Sequence, residues 1–348
     1  MGKPKPFDLL AEFGKFGLER KLALTDADTR AAFGSHVAHE VDRALADPVL
    51  LHGQRAEAMF EAMLASLGDF RLVKPEDGGR VLSTEPFLVP DFRVVLTSGE
   101  QWLVEVKNIY IDDPFRQQRR IMTCRYRERL EAYASATGAE LKLAVFWARW
   151  SMWTLVTPAR FADADGNVVL DIGTAARANE FGALGDRTIG TRPPLKLRLV
   201  MDPERTSPIG ENGQVEVVIG RVAMFSDEDE IIDPTEQEIA WIFMQHGEWL
   251  GSEPSPIIES DRLVAIEFSW EPEERQNDGF EMIGTLSRVF SRYFADATLR
   301  DGAIVQLRAP HRPRWFEPLI KPGYVSKALP LWRFQLKPSY VDEREQDA

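Results

Sequence analysis

The stretch that decides the fold is residues 88–107, LVPDFRVVLTSGEQWLVEVK, in which two alternating segments flank Ser98 and Gly99. Alternation of apolar and polar side chains with a period of two is typical of strands, so we predict a β-hairpin. A three-residue turn, with Thr97 opposite Gln101, gives this hairpin one entirely apolar face. That face carries Phe92, Val94, Leu96, Trp102, Val104 and Val106. Because a slip of one residue would turn every side chain to the opposite face, burial of the apolar face favours this register.

The other face of the hairpin carries charged side chains. These are Asp91, Arg93, Glu105 and Lys107. Side chains two apart in a strand project from the same face, so residues 105 and 107 lie side by side. They interrupt an otherwise apolar strand, and burying either charge without a partner would cost free energy. We therefore expect two carboxylates and one ammonium group on a single surface patch.

Two carboxylates beside a lysine are typical of a metal-dependent hydrolase. Mg²⁺ prefers oxygen ligands, and water bound to such an ion is easier to deprotonate and can attack a phosphodiester. A neighbouring ammonium group can orient that water or stabilise charge on the phosphate. Taken alone, Glu105-x-Lys107 indicates only a surface ion pair. Pro90-Asp91, which thirteen residues separate from Glu105, favours the metal site.

The segments around the hairpin predict an α/β order of elements. Helical spacing of apolar residues predicts helices at 5–22, 27–46, 53–67 and 114–136. Short β-type segments at 70–74, 141–147 and 152–157 complete an α-β-β-β-α-β-β order that ends near Phe161. The rest is α+β in pattern, with predicted strands at 194–202, 213–225, 262–270, 303–308 and 331–337 and predicted helices at 235–246 and 279–295.

Composition places the chain among globular proteins. Its 348 residues are 44% apolar and 28% charged, which excludes a wholly disordered or collagen-like chain. No apolar run approaches the roughly 18 residues of a membrane-spanning helix, and the first residues lack the apolar core of a secretory signal. We therefore expect a soluble, cytoplasmic protein with no membrane partner. The single cysteine, Cys124, excludes an internal disulfide framework and a cysteine-rich zinc site.

Charge is distributed unevenly along the chain. Residues 1–161 hold 22 basic and 22 acidic residues, whereas residues 162–348 hold 20 basic and 33 acidic residues, the whole of the net charge of −13. An acidic total argues against a non-specific nucleic-acid coat protein. The charge balance does not exclude a nuclease that carries a local stripe of basic residues.

The predicted helix at 114–136 provides such a stripe, with six arginines and one acidic residue between 114 and 129. Arg116, Arg120 and Arg127 would share one helical face, where guanidinium groups could bind phosphate oxygens. A solvated charged face is the alternative. Arg119 would fall within the apolar stripe of this helix, so it needs an acidic residue or a bound phosphate as partner.

The pattern PD-x13-EVK on a hairpin resembles the PD-(D/E)XK nuclease superfamily, the fold of many restriction enzymes and Holliday junction resolvases. Gly53-x-x-x-Glu57, followed by Gly68 eleven residues after the glutamate, is similar to the helix that precedes the hairpin in archaeal-type resolvases. Glu61, one turn later, competes with Glu57 as the third acidic residue. The resemblance covers about residues 50–161, and the added helices before it, an insertion at 75–86 and the second half depart from it.

The resemblance implies a restriction endonuclease-like α/β core, a mixed sheet flanked by helices, at residues 50–161. N-terminal helices at 1–49 and an acidic α+β domain at 162–348 would complete the chain. It also implies a Mg²⁺-dependent endonuclease acting on DNA, in which Mn²⁺ can substitute. Asp91, Glu105 and the main-chain carbonyl of Val106 would bind the metal, Glu57 would assist through water, and Lys107 would position the attacking water.

A catalytically inactive nuclease-fold protein that binds nucleic acid or protein is the alternative function. The intact set of two acids and a lysine argues against it, since a decayed site should lose a member. For the acidic second half we expect a protein partner or a homodimer contact rather than a simple grip on DNA.

Overall fold

The structure is a computed structural model, and it describes residues 6–77, 82–113, 117–276, 279–310, 312–317 and 323–339. The chain divides into two compact units, residues 1–54 and 55–348. The first unit contains the helices α1 (Pro6–Arg20) and α2 (Ala27–Leu45), as predicted, and the start of α3 (Pro48–Leu67). The ring of Phe33 holds α1 and α2 together, with its centroid 5.1 Å from that of Phe13 and 5.3 Å from that of Phe16.

After the remainder of α3, the second unit contains a five-stranded mixed sheet, so the chain is a mixed α/β protein. In chain order its strands and their neighbours are β1 (Leu72–Pro75), β2 (Phe92–Val95), β3 (Gln101–Ile109), β4 (Arg119–Met122), α4 (Cys124–Ala136), β5 (Glu140–Trp147) and β6 (Met152–Val156). The sheet order is β1-β2-β3-β5-β6. Strands β3 and β5 are parallel, because the crossover through α4 brings the chain back to the end of the sheet where β3 begins. The other neighbouring strands of this sheet are antiparallel.

The predicted hairpin is present with its two faces as expected, but its register differs by two residues. Val95, rather than Thr97, lies opposite Gln101. Leu96 N donates to Glu100 O at 2.9 Å across the turn, and Gly99 has a φ of +94°, a conformation that favours glycine. Since the shift is by an even number of residues, the six predicted apolar side chains still share one face, and all are buried.

The predicted helix at 114–136 is wrong in its first part. Residues Arg119–Met122 form β4, which pairs with the later strand β7 (Val168–Leu170), and α4 begins only at Cys124. Thr123 caps that helix, since its side chain accepts a hydrogen bond from Tyr126 N. Met122 is buried together with the apolar residues of β7, so tertiary pairing outweighs the local helical pattern.

The later part of the second unit adds further helices and strands. They are α5 (Ile172–Arg177), β8 (Thr188–Thr191), β9 (Leu195–Met201), β10 (Ile219–Ser226), β11 (Asp229–Ile231), α6 (Pro234–His246), β12 (Leu250–Gly251), β13 (Ser255–Glu259), β14 (Arg262–Glu271), β15 (Glu281–Thr285), α7 (Leu286–Thr298), β16 (Leu299–Arg300), β17 (Ala303–Ile304) and β18 (Trp332–Phe334). A six-stranded sheet contains β9–β14, and β15, β8 and β18 form another. The first part of the predicted helix at 279–295 is instead strand β15, which pairs with β8. Helix α7 begins after it, where the Thr285 side chain accepts a hydrogen bond from Arg288 N at 3.2 Å.

The hydrophobic core runs without a break across Phe161. Helices α3 and α7 share one core with the apolar face of the hairpin, and α4 and α5 share a second core with the other face of the sheet. Trp153 Nε1 of β6 donates to Ser291 Oγ of α7 at 3.0 Å, and the rings of Phe60 and Phe181 meet edge to face. Packing is therefore continuous at residues 161 and 162, where the charge composition of the chain changes, and the predicted domain division there stays a prediction.

Among the residues that the structure describes, no helix is both long enough and apolar enough to cross a membrane.

Candidate functional site

The candidate site lies where β3 runs past the start of β2. Asp91 immediately precedes β2, and its Oδ2 accepts a hydrogen bond from Val106 N at 2.7 Å. This bond holds the aspartate against the strand that carries Glu105 and Lys107. The hairpin thus brings the three predicted side chains together, as their common face required.

Glu105 is buried, with 2% of its surface exposed. Its Oε1 accepts hydrogen bonds from Lys107 Nζ and, at 2.6 Å, from the hydroxyl of Tyr126 on α4. Lys107 Nζ also lies 5.2 Å from the centroid of the Tyr126 ring, within the range of a cation–π contact. The surface patch that the sequence predicts is thus partly covered, since Glu105 is buried and Tyr126 of α4 packs against it. We call the cluster of Asp91, Glu105, Lys107 and Tyr126 the recess.

Burial and neighbouring acids raise the pKa of two carboxyl groups, Asp91 and Glu57. Burial, followed by the charges of Glu105 and Glu57, raises the pKa of Asp91 to about 8, although the Val106 N–H opposes this shift. Burial and the charges of Asp77 and Glu105 also raise the pKa of Glu57. With all of these carboxyl groups ionised, negative charge in the recess would be in surplus, and a bound cation would offset it.

Lys107 and Tyr126 both hold their protons at neutral pH. Burial lowers the pKa of Lys107, but the Glu105 carboxylate outweighs burial and the net pKa is raised. Burial and the charge of Glu105 raise the pKa of Tyr126 to about 12. Both groups are therefore hydrogen-bond donors in the recess, and neither can serve as a base near neutrality.

The two candidates for the third acidic residue differ in their surroundings. Glu57, half-buried on α3, is close enough to Asp91 and Glu105 for their charges to act on one another. Glu61 forms an ion pair with Arg308 at 3.4 Å. This contrast favours Glu57 as the residue that faces the recess.

The donors of the recess fit a hard divalent cation. Carboxylates and a main-chain carbonyl are the oxygen ligands that Mg²⁺ prefers, and Asp91, Glu105 and Val106 can supply them. Within the described ranges, no three His, Cys, Asp or Glu side chains already surround a common metal position. A complete ligand set would thus need water, as is usual for Mg²⁺.

The arginines predicted to share one helical face do not share it. Arg119 and Arg120 are exposed on β4, so Arg119 is not in an apolar stripe, and Arg116 lies outside the described residues. On α4, Arg127 donates to Gly166 O at 3.1 Å and to Glu131 at 3.1 Å. Contact of these arginines with nucleic acid stays a prediction.

Sequence reasoning missed two side chains near the recess, Tyr126 and Asp77. The helical spacing at 114–136 predicts that Tyr126 lies in the apolar stripe of that helix, with no polar role. The hydroxyl of this tyrosine could have indicated a polar partner, because a buried tyrosine hydroxyl usually forms a hydrogen bond. Asp77 lies in the predicted insertion, where nothing in the sequence pattern ties it to Glu57.

Comparisons with known proteins include a partial structural match. No protein-family model matches the chain, and no curated protein matches it. Among solved structures, the chain is similar to Hjc, a Holliday junction resolvase from Archaeoglobus fulgidus, at 21% identity and a TM-score of 0.28. The match covers 36% of this chain and 92% of the resolvase.

Proposed function

We propose that this protein is a metal-dependent nuclease that hydrolyses phosphodiester bonds in DNA, with a restriction endonuclease-like core at about residues 50–161. The observation that carries the proposal is the recess, where Asp91 and Glu105 converge and Lys107 bonds to Glu105. A buried group of acids with a surplus of negative charge needs a counter-charge, and the oxygen donors suit Mg²⁺ or Mn²⁺.

Asp91, Glu105 and the carbonyl of Val106 would bind the cation, and Glu57 would assist through a water molecule. When bound, the cation supplies Lewis-acid stabilisation and lowers the pKa of a water molecule. The roles of the chain's own groups follow from their protonation. Lys107 would donate a hydrogen bond to the attacking water and to a phosphate oxygen. Tyr126 is a positioning residue, since its hydroxyl fixes the orientation of the Glu105 carboxylate.

The direct test is cleavage of a panel of labelled DNAs, single-stranded, duplex and branched, by the full chain in Mn²⁺, Mg²⁺ or EDTA. We expect cleavage that requires the metal and that Glu105→Gln abolishes. Lys74→Ala, which removes an exposed lysine from β1, serves as the matched control and should cut normally. If the wild-type protein cuts none of these DNAs in Mn²⁺, the proposed activity is wrong.

An inactive nuclease-fold protein is the rival function. It is favoured by the fact that no three metal-ligating side chains in the described part of the chain are already arranged around one point. Melting curves with and without Mn²⁺ separate the two. A nuclease should melt at a higher temperature with the ion, because a ligand that binds only the folded state stabilises it, whereas an inactive relic should not respond.

A further inference from the structure

The second half of the chain contains an aromatic pocket that the proposed activity does not use. It has a volume of about 250 Å³ and lies between α6, α7 and the segment that ends at Trp315. Trp241, Tyr293 and Trp315 supply its aromatic surfaces, and His246 and Arg312 supply polar groups. Trp241 is 42% exposed, so its indole is accessible from solvent.

Contacts among the lining residues hold the pocket in shape. The rings of Tyr293 and Trp315 meet edge to face at 4.8 Å between centroids. The His246 ring meets Tyr293 at 5.6 Å, and its Nδ1 lies 3.2 Å from a carboxylate oxygen of Asp296. Arg312 is held at the rim by Glu238. A pre-formed pocket of this size suits a small planar group rather than a large ligand.

A basic segment borders the pocket in the half of the chain that is otherwise acidic. Between 308 and 315 there are three arginines and no acidic residue, whereas residues 162–348 as a whole hold 33 acidic and 20 basic residues. The side chains of Arg308, Arg312 and Arg314 are 77%, 75% and 65% exposed. Each of these arginines pairs with an acidic side chain. Exposed ion pairs of this kind are weak, so they leave the guanidinium groups accessible to a phosphate.

This segment runs along α3, the helix that also carries Glu57. Arg314 N donates to Ala65 O at 2.8 Å, and Phe316 N donates to Ser66 O at 3.2 Å. From residue 57 to residue 65 an α-helix rises about 12 Å. At the rise of about 3.4 Å per nucleotide that a stacked, B-form strand has, three to four nucleotides span that distance.

We propose that the pocket binds an unpaired nucleobase of a DNA strand whose phosphates contact Arg308, Arg312 and Arg314. Aromatic rings accept any base by stacking, and exposed arginines bind phosphates. The choice of DNA as the ligand rests on the proposed function, and the pocket would add a preference for unpaired bases to that function. The protein would prefer DNA with unpaired nucleotides a few positions from the cleaved bond. A polyanion is favoured over a protein partner because the arginines stand out against an acidic surface.

The test measures binding of a labelled single-stranded oligothymidylate by fluorescence anisotropy in EDTA, where no cleavage occurs. We expect the single strand to bind more tightly than a blunt duplex of the same length. Trp241→Leu should weaken binding of the single strand on the order of tenfold, whereas Trp241→Phe should retain most of it. Trp332→Leu is the matched control, since Trp332 is 37% exposed but stacks on Phe280 outside the pocket.

Two further measurements guard against a variant that folds poorly. An oligonucleotide without bases should bind the wild-type protein as weakly as the normal oligonucleotide binds Trp241→Leu. Replacing Arg308, Arg312 and Arg314 together by Gln should flatten the salt dependence of binding by about 2 in slope, at about 0.7 per phosphate contact on a single strand.

Binding and cleavage can fail separately in these measurements. A wild-type protein that does not bind the oligothymidylate overturns the inference and leaves a protein partner for the pocket. Binding that ignores both the Trp241→Leu change and the loss of bases also overturns it. Binding that depends on Trp241 in a protein that cuts no DNA supports the pocket and contradicts only the proposed nuclease activity.

Discussion

Two glutamates, Glu105 in β3 and Glu76 directly after β1, have similar hydrogen-bond partners but differ in the net charge of their surroundings. Each accepts hydrogen bonds from a basic side chain of the hairpin and from a tyrosine hydroxyl of α4. For Glu76 the donors are Arg93, at 2.7 and 3.1 Å, and Tyr133, at 2.9 Å. For Glu105 they are Lys107 and Tyr126.

The surroundings of the two glutamates differ in net charge. Glu76 has a bidentate guanidinium partner, with Lys74 nearby, and the hydrogen bonds from Arg93 lower its pKa to about 2 despite its burial. Glu105 shares one ammonium group with Asp91 and Glu57, whose pKa values are raised. A buried acid beside a basic residue is thus not by itself a functional sign. Surplus charge distinguishes a binding site from a structural ion pair.

Removing the lysine from the surplus-charge site should have the largest effect. With Lys107→Ala we expect the DNA cleavage rate at saturating Mg²⁺ to fall by roughly 10²–10³-fold, the usual loss for one donor that stabilises developing charge. Arg93→Ala removes the corresponding partner from Glu76, so its folded molecules should cleave at close to the wild-type rate. If both variants lost cleavage equally, or Lys107→Ala lost none, the distinction between the two glutamates would fail.

Removing the structural glutamate should act on stability instead. Glu76→Gln should lower the free energy of unfolding, measured in urea, by about 2 kcal/mol, since hydrogen bonds between charged groups contribute about 1.5–3 kcal/mol. Glu85→Gln, at an exposed position nearby, should leave that free energy unchanged. An unaltered free energy for Glu76→Gln would show that the ion pair contributes nothing.

Neutralising an acid of the recess should stabilise the metal-free protein. Asp91→Asn keeps an oxygen to accept from Val106 N–H and removes a buried acid whose pKa is raised to about 8 and which folding must protonate, so we expect a gain of about 1 kcal/mol in the free energy of unfolding in EDTA at neutral pH. Asp112→Asn, which changes an aspartate that is 80% exposed, is the control and should give no gain. A loss of stability in Asp91→Asn would mean that the recess carries no surplus of negative charge.

The smallest of the expected effects is on the pH dependence of stability, which should distinguish Glu76 from the other carboxylates. Its pKa in the folded protein is lowered to about 2, against about 4.3 in an unfolded chain. The contribution of Glu76 is therefore present above about pH 4.3 and is lost as the pH falls towards 2. The difference in unfolding free energy between the wild type and Glu76→Gln should shrink over that range, and a difference constant with pH would contradict the assignment.

The sequence predicts the parts of the site that depend on local periodicity. The period of two in residues 88–107 was enough to place Asp91, Glu105 and Lys107 on one face. The register was two residues off because the pattern of faces cannot distinguish shifts by an even number of residues. In the structure Leu96 N bonds to Glu100 O across the turn, and Gly99 has a positive φ.

Features that depend on distant pairing could not be predicted in this way. The pattern at 114–136 reads as one helix, yet β7, more than forty residues later, takes Arg119–Met122 as a strand partner. That pairing starts α4 at Cys124 and determines where Tyr126 and Tyr133 lie. The continuous core across Phe161 was also missed, because charge composition reports the surface of a protein rather than its interior.

The most direct test of the account is calorimetric titration of Mn²⁺ into the metal-free wild type, Asp91→Asn and Glu76→Gln at neutral pH. If surplus charge makes the recess a metal site, the wild type and Glu76→Gln should bind the ion with similar affinity, and Asp91→Asn should bind it far more weakly. Equal binding by all three proteins, or binding by none, would contradict the assignment of a metal site to Asp91 and Glu105.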